Sequence, residues 1–218
     1  MSDTSHTPHI EMLTVGPLAT NCYLLGDPQS RQAVVIDPGD EAERILAAVR
    51  DGVWQVLAVV LTHAHFDHVL AARELIGKLQ VPFLVPPGEV VVLHRAQEAV
   101  YRWLGYEIEA PPDPDGPLAD GDVLEVGSLR FDVIGTPGHS PDAISLVGEN
   151  EIFVGDTLFA GSIGRTDLPG ADYATLMRSI EQRLLPLDDE MVVYPGHGPT
   201  TTIGRERRFN PFILDWIG

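Results

Sequence analysis

The sequence predicts a mixed α/β fold in which two β-sheets pack face to face and helices cover their outer surfaces. Short apolar runs of strand length recur along the chain, and segments with helical spacing of apolar residues lie between them in both halves. The halves also resemble each other, because in each a buried strand ends in a polar residue, as at residues 34–39 and 152–156. Helices that flank two such sets of strands are typical of a two-sheet sandwich.

Size and charge narrow the range of functions. The chain has 218 residues, and we expect a single domain over residues 9–218 after a loose tail at residues 1–8. The net charge of −18 argues against a nucleic-acid partner, because binding a phosphate backbone requires a positive surface.

Location is predicted from the segments that the chain lacks. The N-terminus has no apolar centre of a signal peptide, and no apolar stretch approaches membrane-spanning length. The single cysteine, Cys22, allows no internal disulfide, which fits a reducing compartment. We therefore expect a cytoplasmic protein without a membrane partner, and the oligomeric state stays open.

In the first half, strands give way to an alternation of strands and helices. The expected strands are residues 10–15, 21–25, 33–36, 56–61 and 83–85, and the expected helices are residues 41–50, 69–79 and 89–104, the last with Trp103 on its apolar face. Residues 105–122 are rich in proline, glycine and aspartate, which predicts a long irregular loop that could border a functional site.

The second half begins with hairpins and ends with helices. The expected strands are residues 123–126, 129–134, 143–147, 151–154 and 191–194, and the expected helices are residues 173–185 and 204–217.

The most informative stretch is Thr-His-Ala-His-Phe-Asp-His at residues 62–68, which follows the buried strand at residues 56–61. On an extended segment, residues two apart point to the same side, so His63 and His65 can bind one metal ion. Imidazole and carboxylate groups are preferred ligands of zinc, and they also suit iron and manganese.

Two further members of this stretch lie where the chain turns into the next helix. Asp67 and His68 would approach from another direction, where a second ion could bind. Asp67 could instead be only the N-cap of that helix, and His68 a surface residue. Because all four side chains follow one buried strand at ligand spacing, we interpret them together as a metal site.

Three more candidate ligands follow predicted strands later in the chain. His139 lies in Pro-Gly-His, Asp156 directly follows a glycine, and His197 lies in a second Pro-Gly-His. Glycine and proline allow the tight turns that present a side chain at the edge of a sheet.

These positions resemble the ligand motif of the metallo-β-lactamase fold superfamily. The resemblance implies an αββα sandwich with its metal site at one edge of the two sheets. It also implies that His63, His65 and His139 hold a first ion, that Asp67, His68 and His197 hold a second, and that Asp156 bridges the two.

Within that superfamily the chain is most similar to the short glyoxalase II-type, hydroxyacylglutathione hydrolase-like proteins. The similar segments are residues 20–24, 160–167, 194–199 and 201–212. This resemblance implies hydrolysis of an acyl thioester, S-D-lactoylglutathione or a related hydroxyacylglutathione, by a hydroxide shared between two divalent ions, with zinc expected first and iron or manganese also suited. Asp67 and Asp156 would also orient the hydroxide as catalytic residues. Full-length glyoxalase II enzymes bind glutathione largely through a C-terminal helical domain, which leaves open how this chain would bind it.

Two residues are candidates for substrate contact. Arg165 follows shortly after Asp156 and could bind a substrate carboxylate, or it could form a structural salt bridge with Asp167. Tyr194 precedes the second Pro-Gly-His and could line the pocket, or it could pack in the core.

Other activities of the superfamily share much of this motif. A persulfide dioxygenase with a single iron is the main alternative to the thioesterase. A lactonase or a β-lactamase is favoured less, because the subgroup segments point elsewhere.

Overall fold

Two six-stranded β-sheets form the centre of the fold, so the predicted sandwich is confirmed. The computed structural model describes residues 7–218. Most of the predicted tail at residues 1–8 therefore lies outside the described residues, and the single domain stays a prediction.

The first sheet contains six strands in the order in which they occur along the chain. They are β1 (His9–Val15), β2 (Thr20–Gly26), β3 (Gln32–Ile36), β4 (Gln55–Val60), β5 (Phe83–Val85) and β6 (Gly116–Pro117). β1 to β3 are antiparallel neighbours, whereas β3 to β6 run parallel.

The second sheet has the order β14-β13-β10-β9-β8-β7, and β11 and β12 form a separate small hairpin. These strands are β7 (Val123–Val126), β8 (Leu129–Gly135), β9 (Ile144–Val147), β10 (Glu151–Gly155), β11 (Leu158–Phe159), β12 (Ser162–Ile163), β13 (Val192–Pro195) and β14 (Thr201–Thr202). β10 and β13 are parallel, so their carboxyl ends meet at the same edge.

The central strands are buried on both faces, which explains their continuous apolar sequences. In β2 every residue is buried. Its alternate side chains divide between two cores: Tyr23 and Leu25 pack between the sheets, and Cys22 and Leu24 pack under the helices.

Helices form the two outer layers. They are α1 (Ala42–Asp51), α2 (Ala72–Leu79), α3 (Val90–Leu93) and α4 (Ala96–Leu104) on the first sheet, and α5 (Tyr173–Ser179), α6 (Ile203–Phe209) and α7 (Pro211–Ile217) on the second. None of the helices in residues 7–218 has both the length and the apolar character that crossing a bilayer requires.

The predicted helix at residues 89–104 is wrong as a single element. A 3₁₀ turn at Pro87–Glu89 leads into α3, and the helix is interrupted at His94 and Arg95 before α4 begins. In α4, Ala96 and Val100 face the core, whereas Trp103 is 56% exposed. Trp103 lies on the same side of α4 as Ala96 and Val100, but it is next to the last residue of the helix and is not covered by the core.

Other boundaries moved for local reasons. The helix predicted from residue 69 begins only at Ala72, after a 3₁₀ turn at Phe66–His68. The last predicted helix is divided into α6 and α7, because Pro211 cannot continue a helix but suits a first turn. The side chain of Asn210 caps the new helix by accepting a hydrogen bond from the Phe212 amide at 3.1 Å.

Candidate metal centre

All seven predicted ligands come together at one edge of the sandwich. They lie beyond the carboxyl ends of four strands: β4 supplies residues 63–68, β8 leads to His139, β10 to Asp156 and β13 to His197. The two sheets are joined at this edge by the Asn21 amide, which donates to the Gly196 carbonyl at 2.7 Å.

The first predicted group of ligands is closely assembled. His63, His65 and His139 each offer one nitrogen, and these nitrogens lie within 4.8 Å of one another. Nδ1 of His65 is 2.8 Å from Nε2 of His139. His139 is held in this orientation because its Nδ1 lies 2.9 Å from the Arg165 carbonyl, to which it donates. Three converging imidazoles suit one divalent ion.

The second predicted group is equally close. Ligand atoms of Asp67, His68 and His197 lie within 4.8 Å of one another. Oδ2 of Asp67 is 3.1 Å from Nε2 of His197 and accepts a hydrogen bond from Thr20 Oγ1 at 3.0 Å. This carboxylate is therefore held from two sides and is more than a helix cap; the 3₁₀ turn that contains it has no side-chain cap.

Asp156 lies between the two groups. Its Oδ1 is 3.5 Å from Nε2 of His68, which belongs to the second group. Its Oδ2 is 3.5 Å from Nε2 of His139 and 3.6 Å from Nε2 of His197. A carboxylate that faces both groups has the position that a bridging ligand needs.

The two groups differ in their electrostatics. Burial lowers the pKa of His65 to about 4, and the neighbouring His139 acts in the same direction. In the second group burial also disfavours a charged His68, but the carboxylates of Asp67 and Asp156 outweigh it and raise its pKa. Burial likewise opposes ionisation of Asp67, yet His68 and the hydrogen bond from His197 hold the pKa of Asp67 well below its usual range.

Unpaired buried atoms test whether this cluster fits metal ions. Of the four buried side-chain atoms in residues 7–218 that lack a hydrogen-bond partner, three are His63 Nε2, His68 Nε2 and Asp156 Oδ1. Leaving a polar atom buried without a partner costs about 1–3 kcal/mol, and native proteins rarely do so. Because all three belong to the ligand set, the residues fit divalent cations as their partners.

Asp37 lies below the cluster and was not predicted as a functional residue. Its Oδ2 is 3.1 Å from Nδ1 of His68, and Oδ1 accepts a hydrogen bond from the Thr62 amide at 2.7 Å. Thr62 also donates its hydroxyl to Oδ2 at 2.6 Å. Because these contacts occupy both oxygens, we assign Asp37 to orienting His68. The available sequence signal was its place directly after strand β3, which matches that of Asp156 after β10.

The two predicted substrate residues have different surroundings. Arg165 lies at the rim, where its side chain is 52% exposed and pairs with Asp167 through two contacts of 2.8 Å. Its guanidinium also stacks over Trp103, 5.5 Å from the ring centroid. Tyr194 instead stacks on Phe153, with ring centroids 5.1 Å apart, and packs against the core between the sheets. Its surroundings favour the packing role over the pocket.

Comparison with known proteins supports the superfamily that the ligand motif resembles. The profile of the Metallo-beta-lactamase superfamily matches residues 15–197. The chain is 35% identical to "Hydroxyacylglutathione hydrolase GloC" of Haemophilus influenzae, over 94% of this chain and 98% of that protein. It is 37% identical to "Probable metallo-hydrolase YqgX" of Bacillus subtilis, over 92% of this chain and 95% of that protein.

Solved structures agree in fold. The "BLEG-1 B3 metallo-beta-lactamase" superposes with a TM-score of 0.88 at 38% identity, covering 94% of this chain and 99% of that one. "TTHA1623 in a di-iron-bound form" superposes with a TM-score of 0.85 at 43% identity, covering 93% and 99%. The chain therefore belongs to the metallo-beta-lactamase superfamily, as a metallo-hydrolase with a His/Asp site for divalent metals.

Proposed function

We propose that this protein hydrolyses acyl thioesters at a dinuclear metal centre, with S-D-lactoylglutathione or a related hydroxyacylglutathione as substrate. The observation that carries the proposal is the pair of ligand groups around Asp156, with three buried atoms left for metal ions. The relative named hydroxyacylglutathione hydrolase supports the choice of substrate class.

Thioester chemistry suits the groups at this edge. Divalent ions bound here would lower the pKa of a coordinated water and polarise the substrate carbonyl. The leaving thiolate has a pKa of about 8.5 and needs little help from a general acid. The chain's own contribution is orientation: Thr20 and His197 hold Asp67, and the carboxylates of Asp67 and Asp156 would orient the attacking hydroxide.

Arg165 is the proposed contact for an anionic substrate. Its backbone carbonyl is bonded to His139, so its side chain begins next to the first ligand group. The exposed guanidinium can offer donors to a substrate carboxylate in place of Asp167, because both partners of that salt bridge are more than half exposed. Trp103 keeps the guanidinium at the rim by stacking.

The test combines elemental analysis of the purified protein with turnover of S-D-lactoylglutathione by the same sample. We expect two divalent ions per chain and release of the thiol. The metal itself is an outcome, since zinc is expected from the ligand types and a relative was solved with two irons. One iron per chain, no thiol release and oxygen uptake with glutathione persulfide would contradict the thioesterase and support the dioxygenase.

A β-lactamase is the second candidate, and one observation favours it. The neighbour with a TM-score of 0.88 carries the name of a B3 metallo-beta-lactamase. Opening a β-lactam releases an amine, which must be protonated, so this reaction needs more from the site than thioester cleavage does. Parallel assays with a chromogenic cephalosporin and the thioester decide between them: we expect the larger kcat/KM for the thioester.

A further inference from the structure

Glu89 is a fully buried carboxylate outside the ligand set, at the end of the 3₁₀ turn that precedes α3. Its Oε2 accepts a hydrogen bond from the Ala64 amide at 3.0 Å. Its Oε1 accepts one from the Asp142 amide at 2.8 Å and another from the Ser140 hydroxyl. A buried carboxylate with three donors is a fixed point between separate segments of chain.

The positions of these donors connect Glu89 to the first ligand group. Ala64 lies between His63 and His65, and Ser140 directly follows His139. The carboxylate of Glu89 thus holds both segments that carry the first ligand group. These segments are far apart in sequence, since His65 and His139 are separated by 74 residues.

A second hydrogen bond joins the segment of Glu89 to the segment of Asp142, with donor and acceptor reversed. The amide of Gly88 donates to Asp142 Oδ2 at 2.6 Å, so the two segments exchange hydrogen bonds. A Cβ at Gly88 would lie 2.6 Å from the Cβ of Asp142, so the backbone approaches more closely than another residue allows.

We infer that Glu89 is a positioning residue for the first metal ion: it sets the separation between the segment of His63 and His65 and the segment of His139. The inference rests on the proposed metal centre. Its contacts reach none of the residues adjacent to Asp67, His68 or His197, so the second ion should depend on it much less. Groups that orient metal ligands typically change metal affinity about 10–100-fold.

Glu206 offers a matched control. It is also a buried carboxylate, 1% exposed, and it accepts hydrogen bonds from the Gly161 amide at 2.7 Å and the Asn210 side chain at 2.9 Å. Two further donors are the Thr201 hydroxyl at 2.6 Å and the Arg205 guanidinium at 3.3 Å. None of these four partners is adjacent to a ligand in sequence, so Glu206 tests the effect of disturbing a buried carboxylate as such.

The experiment titrates metal-free full-length protein with Co²⁺ in competition with a chelator, for the wild type, Glu89→Gln and Glu206→Gln. In Glu89→Gln the side-chain amide would turn an NH₂ group toward a backbone or hydroxyl donor. We expect this variant to bind one ion about 10–100-fold more weakly and the other with unchanged affinity. Glu206→Gln should bind both ions like the wild type. Its metal-free form should show a fall in unfolding temperature comparable to that of metal-free Glu89→Gln.

The outcomes separate this inference from the proposed function. A wild type that binds two ions while Glu89→Gln binds both equally well would overturn the role of Glu89 alone. A wild type that binds no ion would overturn the metal centre and the inference together. If Glu89→Gln does not fold, Ser140→Ala, which removes one donor, is titrated in the same way, and unchanged affinities there overturn the inference.

Discussion

Strand β2 has a polar cluster at each of its ends, and the two clusters differ in how their atoms are paired. At one end, Thr20 reaches Asp67 in the candidate metal centre. At the other end, Asp27 accepts hydrogen bonds from the Gln29 amide, the Ser30 hydroxyl, and the amide and hydroxyl of Ser128 at 2.9–3.1 Å.

Both clusters contain buried carboxylates, but only the candidate metal centre has buried atoms without a hydrogen-bond partner. The cluster of Asp27 is satisfied by its own chain and ties the end of β2 to the turn between β7 and β8. The cluster at the other end includes three of the four unpaired buried side-chain atoms found in the described part of the chain. A buried charge therefore does not by itself indicate a functional site in this protein. Buried polar atoms without a hydrogen-bond partner do.

The largest expected effect is on activity, and it distinguishes the metal-centre end of β2 from the Asp27 end. Asp156→Ala removes the proposed bridging ligand and should lower thioesterase kcat/KM by more than the ~100-fold typical of a residue that only orients a ligand. Because Asp156 Oδ1 accepts no hydrogen bond from the chain, the metal-free variant should remain folded. Asp27→Ala should show the reverse, with full activity and a free energy of unfolding lower by about 1–3 kcal/mol. Kinetics and denaturant unfolding of both variants decide, and an active Asp156→Ala would refute the ligand assignment.

A smaller effect, on metal affinity, is expected at Asp37, which contacts the ligand His68. In Asp37→Asn only one oxygen remains, so an NH₂ group must face Thr62 or His68, both of which donate to Asp37. We expect metal affinity to fall about 10–100-fold. The exposed Asp51→Asn at the end of α1 serves as the control. Equal affinities of the two variants in a chelator competition would show that Asp37 only stabilises the fold.

At Arg165, on the rim of the site, the expected effect is smaller and concerns substrate binding. Arg165→Ala should raise KM for an anionic thioester about tenfold with little change in kcat, because a charge-assisted hydrogen bond at an exposed position is lost. Arg130→Ala removes a comparably exposed arginine that pairs with Asp132 on β8. Steady-state kinetics of both variants provide the measurement, and a fall in kcat alone would contradict the binding role.

The smallest effect concerns acid stability at the Asp27 end. Burial opposes ionisation of Asp27, but its hydrogen bonds from Ser128, Gln29 and Ser30 outweigh it and lower the pKa from 3.8 to about 2. A carboxyl whose pKa is lower in the folded protein stabilises the fold above the unfolded pKa, and this contribution is lost as the pH falls from 3.8 to 2. Unfolding of Asp27→Asn should therefore depend less on pH in this interval than unfolding of the wild type. Identical pH profiles would exclude a contribution from Asp27.

The comparison also explains what the sequence could predict. The two sheets and the outer helices follow from apolar periodicity, and the candidate ligands at residues 63–68, 139, 156 and 197 follow from polar residues after strands. Their grouping around two ions was predicted only from the resemblance to the metallo-β-lactamase fold superfamily. Glu89 could not be identified in this way, because its role depends on donors from residues 64, 140 and 142, which only the tertiary structure brings together.

Short elements escaped prediction for a different reason. The hairpin of β11 and β12 and the strand β14 contain two residues in each strand, too few for any periodicity. The break at His94 and Arg95 was missed because a continuous helical pattern conceals it. Both errors lie in segments whose geometry is decided by their neighbours and not by their own sequence.

The division of the ligands along the chain has a consequence for how the protein acquires its metal. Four of the ligands lie within residues 63–68, whereas His197 is synthesised 130 residues after Asp67 and forms an isolated bridge with Thr20 of β2. The centre can close only after the last strands have docked on the first sheet. Metal that binds the finished cluster then stabilises the folded chain by mass action. Metal supply during synthesis would therefore influence how much folded protein accumulates, apart from any effect on catalysis.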